Sequence, residues 1–299
     1  MHIYTFGEAL YDITFRNGQP VSAWPGGAML NTSVSLGRLK MPVSLITEFG
    51  QDPVGELIED FLQKNGISTK HVARFSGHNT TIALAFLNDK NEASYSFYKD
   101  YPEKRLRGIM PVFSGYDFFL FGSFFALDPG IRPILYNLLK KAKEQNTFVY
   151  YDPNFRKSHL DQLPLLKKNI LENISMATLM RGSDEDFLNI FGAGDADEAY
   201  RAVSDRIQYL IYTASDRAVY LRTPDISLEI PVPPVKTAST VGAGDTFNAG
   251  IAYELFNRKI TPFSLADLNE NEWKEIIGTA IRMAGEVCKS YENYISIDM

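Results

Sequence analysis

Thr240-Val241-Gly242-Ala243-Gly244-Asp245-Thr246-Phe247-Asn248-Ala249-Gly250 sets two glycines and an aspartate at the opening of a helical run, Thr246 to Phe256. Gly242 and Gly244 let the backbone turn tightly and approach a ligand closely. The N–H groups of Gly242, Ala243, Gly244 and Asp245 then become unpaired donors at a helix start. Backed by the positive end of the helix dipole, such donors suit an anion. Asp245 does nothing for phosphate binding. It makes sense as a base aimed at a hydroxyl that attacks a phosphorus held by those N–H groups. The bland alternative is a Gly-rich turn with Asp245 in the first helical turn.

Outward from this stretch, short apolar runs alternate with helical patterns. Ile3–Phe6, Val43–Phe49, Phe118–Phe121, Phe148–Tyr151, Thr178–Met180 and Tyr209–Tyr212 have strand length. Met29–Leu39, Val54–Gln63, Arg132–Lys143 and Leu163–Asn173 read as helices. Buried runs spaced by helices predict right-handed β-α-β units, an α/β class fold and an open, mostly parallel sheet with helices on both faces. Ligands are expected at the carboxyl ends of its strands. Asp12–Ala23 and Thr80–Tyr98 break the rhythm with alternating β-formers, and the second has a polar turn at Asn88–Glu92. These predict a small separate β-sheet that projects as a lid and excludes water when closed.

The chain has 299 residues, 45% of them hydrophobic, with 20 Phe and 16 Tyr. This suits one large α/β domain or two smaller ones. A net charge of −6 argues against nucleic acid as the main partner. Cys288 stands alone, which excludes an internal disulfide and fits a reducing compartment. Neither a signal peptide nor a transmembrane run of 18 apolar residues is visible, so a cytoplasmic location and no membrane partner are expected. His2, His71, His78 and His159 are scattered, without zinc-type spacing.

Three further constellations follow strand ends. Gly7-Glu8 and Asp12 follow the first strand, and Asp12 could accept bonds from neighbouring hydroxyls of a polyol. Gly26-Gly27-Ala28 precedes Asn31, a neutral amide suited to hydroxyls. Asp152-Pro153-Asn154-Phe155-Arg156 closes the run Phe148–Tyr151, and Arg156 could hold an anion or bridge hydroxyls. Each also reads as an ordinary turn, cap or local ion pair.

With these residues quoted in order, the chain resembles the ribokinase-like (PfkB) carbohydrate kinases along nearly its full length. The matching pieces are G-E-x-x-x-D (Gly7, Glu8, Asp12), G-G-A-x-x-N (Gly26, Gly27, Asn31) and F-G-x-D-x-x-G (Phe49, Gly50, Asp52, Gly55). D-P-N-x-R (Asp152 to Arg156) and V-G-A-G-D-x-F-x-A-G (Val241 to Gly250) complete them. The resemblance implies a single domain over residues 1–299, with a lid formed by about 12–25 and 80–112. It implies transfer of the γ-phosphoryl group of ATP, with magnesium, to a sugar or nucleoside hydroxyl. Asp245 is then the base, with Gly242, Ala243 and Gly244 forming the anion hole. Asp12, Gly26, Gly27 and Asn31 are then sugar contacts, with Arg156 aimed at substrate. Phe97 or Tyr98 meets the sugar face from the lid.

Several positions depart from the family pattern. Ser239 stands where an Asp usually helps to bind potassium, which weakens the case for a K+ site. Ser183-Asp184-Glu185-Asp186 replaces N-x-x-E, so Asp186, or Glu185 instead, takes the metal-water role. T-x-G-x-x-G is reduced to Thr213-Ala214-Ser215-Asp216-Arg217-Ala218; Thr213 and Ser215, with Asn154, are the nucleotide-side candidates. Ala284–Asn293 is expected to flank adenine.

The G-E-A-L-Y-D start, D-P-N-x-R and the S-D-E-x segment look most like bacterial fructokinases, which implies fructose as acceptor and fructose 6-phosphate as product. The alternatives are 2-keto-3-deoxygluconate, ribose or a nucleoside as acceptor. An acid sugar would use Lys99, Arg105 and Arg107. A non-catalytic sugar-binding regulatory protein is the reading from another class. The lid's exposed strand edges predict a homodimer formed through it.

Overall fold

The computed structural model describes residues 1–88, 93–108 and 110–297. Strand β1 (Ile3–Phe6) leads into the hairpin β2 (Leu10–Arg16) and β3 (Gln19–Gly26), then helix α1 (Ala28–Arg38). Strand β4 (Val43–Gly50), helix α2 (Pro53–Lys64) and the short strands β5 (Ile67–Ser68) and β6 (Val72–Phe75) follow. A second hairpin is β7 (Ile82–Leu87) and β8 (Ala93–Tyr98). Regular alternation then runs through β9 (Phe118–Gly122), α3 (Arg132–Glu144), β10 (Phe148–Asp152), α4 (Leu163–Met176) and β11 (Leu179–Ser183). Helices α5 (Asp184–Phe191) and α6 (Ala196–Val203) precede β12 (Leu210–Ala214), β13 (Ala218–Arg222) and β14 (Ser227–Pro231). Helices α7 (Ala243–Asn257) and α8 (Glu270–Val287) end the fold.

The main sheet has the order β14-β13-β12-β11-β10-β9-β1-β4-β5, and β6 also pairs with β4. From β12 to β5 every pairing is parallel. The β12–β13 and β13–β14 pairs are antiparallel. The sequence reading assigned no strand beyond Tyr212; the edge hairpin lacks the long apolar run that marks a strand covered on both faces. The central strands show that run at its clearest. Phe118 and Leu120 face a core completed by α1, α2, α7 and α8, whereas Phe119 and Phe121 face one completed by α3 to α6. Helices therefore cover both faces, as the alternation predicts.

The small sheet has the order β3-β2-β7-β8. Two antiparallel hairpins meet along a parallel β2–β7 pairing. Asn17 (φ 51°) and Gly18 (φ 73°) are both left-handed, the signature of a type I′ turn. In the Asn88–Glu92 turn expected from sequence, residues 89–92 lie outside the described residues. Trp24, Phe86, Tyr95, Phe97 and Tyr98 are all exposed on this sheet, the surface from which a second copy was expected. Register decides which of them share a face. Asp12 lies opposite Trp24 and Ala83, and Ala83 lies opposite Phe97. Tyr11, Ile82 and Tyr98 form the neighbouring row, on the other face.

The F-G-x-D-x-x-G motif ties the end of β4 and the start of α2 to Thr80, just before the small sheet's strand β7. Asp52 caps α2 through the Gly55 N–H (2.7 Å) and also accepts from the Thr80 N–H (2.6 Å) and the Thr80 hydroxyl (2.9 Å). Burial works to raise the Asp52 pKa, but these bonds outweigh it and hold the carboxyl below its ordinary range. Among the described residues no helix is long and apolar enough to cross a membrane.

Candidate active site

Gly242 is the N-cap of α7, with φ 80°. A Cβ there would lie 2.1 Å from the Asn293 carbonyl oxygen, so only glycine lets the loop nest against the C-terminal segment. The Thr246 N–H donates to the Gly242 carbonyl (2.8 Å) and the Ala243 N–H reaches Thr240 at a long 3.3 Å. Gly244 and Asp245, in the first turn, have no helical acceptor for their N–H groups. The free donors at this helix start are therefore those of Gly244 and Asp245 more than that of Ala243.

Helix α1 fixes that turn from the side. Asn31 donates from Nδ2 to Asp245 Oδ2 (2.8 Å), and the Thr32 hydroxyl donates to the Asp245 carbonyl (3.0 Å). Burial pushes the Asp245 pKa up to about 6, with Asp152 adding to the rise and Asn31, Arg156 and Arg181 opposing it. A carboxylate near that value is well matched to accept a hydroxyl proton at neutral pH.

Gly26 packs against Asp12, the Gly27 carbonyl accepts from the Asn31 N–H (2.9 Å), and Asn31 in turn reaches Asp245. A Cβ on Gly26 would lie 2.0 Å from Asp12 Oδ2, and one on Gly27 (φ 127°) would lie 2.2 Å from the Glu8 carbonyl. Both glycines thus clear space for Asp12 and for the Gly7-Glu8 turn. Burial, then Glu8, lifts the Asp12 pKa to about 6. Asn31 Oδ1 is buried with no partner. Tyr98 does not join this group, because its row faces away from Asp12. Phe97 shares the Asp12 face, and Tyr95, two residues earlier, stacks on it at 5.9 Å. Burial, then the Asp12 charge, raises the Tyr95 pKa. The alternation was legible, but the face was not.

The nucleotide and metal candidates lie on the loop after β10, at the start of α5 and at the end of β12. Asn154 adopts φ 41°, and its N–H donates to Asp152 Oδ1 (3.1 Å). This kink sends Arg156 outward, where it meets Glu185 at 4.0 Å. Asp186 closes a capping box with Ser183 and also accepts from the Phe155 N–H (2.5 Å). Both its oxygens are engaged, so of the two metal candidates Glu185 has the freer carboxylate. Thr213 accepts a bond from Arg181 (2.5 Å). Ser215 keeps the left-handed backbone (φ 52°) that the glycine pattern would supply. Such a conformation costs a residue with a Cβ roughly 1 kcal/mol. Ser215→Gly is therefore expected to raise the thermal midpoint by about 1–3 °C; a lower midpoint in a thermal melt would refute the strain.

Sequence reasoning did not single out Arg181. It follows an apolar strand run, and nothing local to it names its partners. Those are Asp152 (3.1 Å) on β10 and Thr213 on β12, and the guanidinium is buried between them. Cys288 is half-buried rather than fully enclosed, and burial raises its thiol pKa, which suits a structural role. The Ala284–Asn293 stretch abuts the start of α7: Asn293 packs on Gly242, and the Cys288 carbonyl accepts from the Ala238 N–H (2.8 Å).

Comparison with known proteins identifies the fold and the family. A fructokinase of Rhizobium leguminosarum bv. trifolii is 27% identical over 274 residues, 88% of this chain and 83% of that protein. Among solved structures, a fructokinase from Xylella fastidiosa with bound ATP superposes with TM-score 0.81 at 22% identity, covering 98% of this chain and 93% of the other. Aminoimidazole riboside kinase from Salmonella enterica, complexed with aminoimidazole riboside and an ATP analog, gives TM-score 0.84 at 20% identity, covering 98% and 94%. At these identities the structural matches establish the fold. The family model for pfkB family carbohydrate kinase matches residues 2–297, which takes in every constellation described above, and the chain belongs to that family.

Proposed function

We propose that this protein is an ATP-dependent kinase of a neutral hexose, converting fructose to fructose 6-phosphate. The observation that carries the reading is the position of the Asp245 carboxylate. It sits in the first turn of α7, bonded to Asn31, next to backbone N–H groups that the helix start leaves without an acceptor. The orphaned Asn31 Oδ1 is suited to a hydroxyl donor, since a buried acceptor left unpaired is costly. The family's activity and the fructokinase relatives support the same acceptor.

Of the three cations that an acid sugar would use, two are already paired and the third lines a different cavity. Lys99 pairs with Glu8 (2.9 Å), and Arg105 pairs with Glu48 and Asp128. Arg107 lines a cavity of about 390 Å³ with Arg74 and Lys104 whose lining includes none of the sugar-side residues. This favours a neutral acceptor over a 2-keto-3-deoxygluconate type.

Asp245 accepts the proton of the attacking hydroxyl, while Asp12 and Asn31 orient the sugar. The Gly244 and Asp245 N–H groups bond the oxygens of the transferring group, and Arg156 faces it from the mouth. Magnesium, when bound, neutralises phosphate charge. No cluster of three or more acidic or imidazole ligands exists among the described residues, which fits an ion that keeps most of its waters and leans on substrate phosphates. Glu185, and Asp186 through a water, are the residues to hold it. Ser239 offers no carboxylate for potassium.

A sugar panel with ATP and magnesium, with and without potassium, tests the reading; inactivity on fructose with activity on ribose or a nucleoside would transfer the assignment. The pH profile is a second check. Asp245 and Asp12 both titrate near 6 and must be ionised to act. Fructose kcat/KM is expected to be level from about pH 7 to 8 and to fall about tenfold per unit below about 6, more steeply where both titrate. A profile that stays flat to about pH 4.5 would rule out Asp245 as the base.

A further inference from the structure

Beneath the cradle lies a buried cation whose position the fold alone does not require. Arg181 Nη1 bonds Asp152 Oδ2 (3.1 Å) and Nη2 bonds the Thr213 hydroxyl (2.5 Å), while Nε is buried without a partner. A Cβ built on Gly244 would lie 3.2 Å from Nη1 and 3.4 Å from Nη2, so the guanidinium sits directly against the first turn of α7. Its Cζ lies 5.9 Å from the Phe247 ring centroid, one turn further along the same helix. Asp152 is shared, because Asn248 of α7 donates to its Oδ2 (2.5 Å) and Tyr150 donates to Asn248 (2.9 Å).

A guanidinium buried in a sheet is a poor stabiliser. Its desolvation offsets much of what its one carboxylate returns, and well-packed apolar residues often do as well. The charge balance above it points to another role. The carboxylates of Asp152 and Asp186 lie close enough for each to act on its surroundings, and Asp245 stands at the cradle itself. A phosphoryl group entering there brings more negative charge to a place already rich in it.

We propose that Arg181 is the positioning residue of the anion cradle: it ties Asp152, Thr213 and the first turn of α7 into one frame and places a full positive charge behind the N–H groups that receive the phosphoryl oxygens. This rests on the kinase reading above. A methyl on Gly244 would press on the guanidinium at 3.2 Å and displace it by a few tenths of an ångström, so glycine here permits the close approach. The groups facing Asp245 are Asp152 and Arg156 from β10 and the loop beyond it, Arg181 from β11, and the neutral Asn31 from α1. Removing Arg181 therefore leaves Asp152 opposed only by the exposed Arg156.

The full-length variants Arg181→Met, Arg181→Gln and Arg181→Lys test this. Each is assayed for kcat, for the fructose KM, for the pH dependence of kcat/KM and, by calorimetry, for affinity to AMP-PNP. Arg181→Met is expected to lower kcat by a factor on the order of 10² and AMP-PNP affinity on the order of tenfold, with fructose KM within about threefold of wild type. Its acid limb moves to higher pH, because a cation that favours the Asp245 carboxylate is gone. Arg181→Lys is expected to return the limb to its wild-type position and to recover at least about a tenth of kcat. Should Arg181→Met not fold, Arg181→Gln, which keeps a donor to Asp152 and loses the charge, must show the same shift. An unmoved limb in the neutral variants, or a lysine variant as inactive as they are, would overturn the proposal in favour of a purely structural arginine. Wild-type protein that binds AMP-PNP but phosphorylates no sugar would sink the kinase reading alone, and the AMP-PNP affinities would still decide on Arg181.

Discussion

Asp245→Asn is expected to lower kcat by a factor on the order of 10² to 10⁴, with fructose KM little changed. The amide is isosteric and can still accept from Asn31, so the site keeps its shape and loses only its base. Stability should move the other way. Burial raises the Asp245 pKa from 3.8 to about 6, so the folded chain holds that proton more tightly than the unfolded one. The folded state therefore loses stability as pH rises from about 4 through about 6, and the deficit is complete above that. Asparagine removes the deficit. Because Asp245 keeps some solvent exposure, the gain at pH 8 is expected at about 1–2 kcal/mol, or a few degrees in thermal midpoint. At pH 4 wild type and variant should melt together. Near-normal turnover in the variant would remove the proposed base, and an unchanged midpoint at pH 8 would deny the burial cost.

The second large effect is expected at Gly242. In Gly242→Ala the new methyl would meet the Asn293 carbonyl at 2.1 Å on a backbone with φ 80°, so the loop or the C-terminal segment has to move. Either shift disturbs the first turn of α7. Loss of one cradle donor alone costs on the order of 10² to 10³ in turnover, and kcat/KM should fall at least that far. Stability should fall as well, by about 1–3 kcal/mol. Gly278→Ala is the matched control. That glycine lies inside α8, where a Cβ would meet only Arg282 Nη1 at 3.7 Å, and alanine there should stabilise by up to about 1 kcal/mol without touching activity. Wild-type kcat/KM in Gly242→Ala would show that the cradle does not depend on this turn.

These two residues also mark how far the sequence can be read. Gly242 to Asp245 are neighbours in the chain, and a helix start is built from local backbone. Its free donors, its dipole and the carboxylate in its first turn could all be recognised from eleven consecutive letters. The same holds for the central strands, whose apolar runs state that both faces are covered, and for the glycines at 26 and 27. The edge hairpin β13–β14 was not legible in that way, because a strand at a sheet margin carries no continuous apolar run.

Chain-distant pairings were beyond reach. Asn31 lies 214 residues from Asp245, and no spacing rule joins them. Tyr98 and Phe97 show the limit at its smallest scale: alternation says that they face opposite ways, but only the β2–β7–β8 register says which one shares a face with Asp12. Arg181 shows it at its largest, since its meaning comes from partners on β10, β12 and α7. The sequence by itself determined the layered α/β plan and the glycine-rich helix start with its free donors, because both follow from periodicity and local backbone chemistry. Tertiary structure alone decided which side chains surround that helix start and how their charges balance. Burial and Coulomb interactions depend on distance in space, and distance along the chain does not report it.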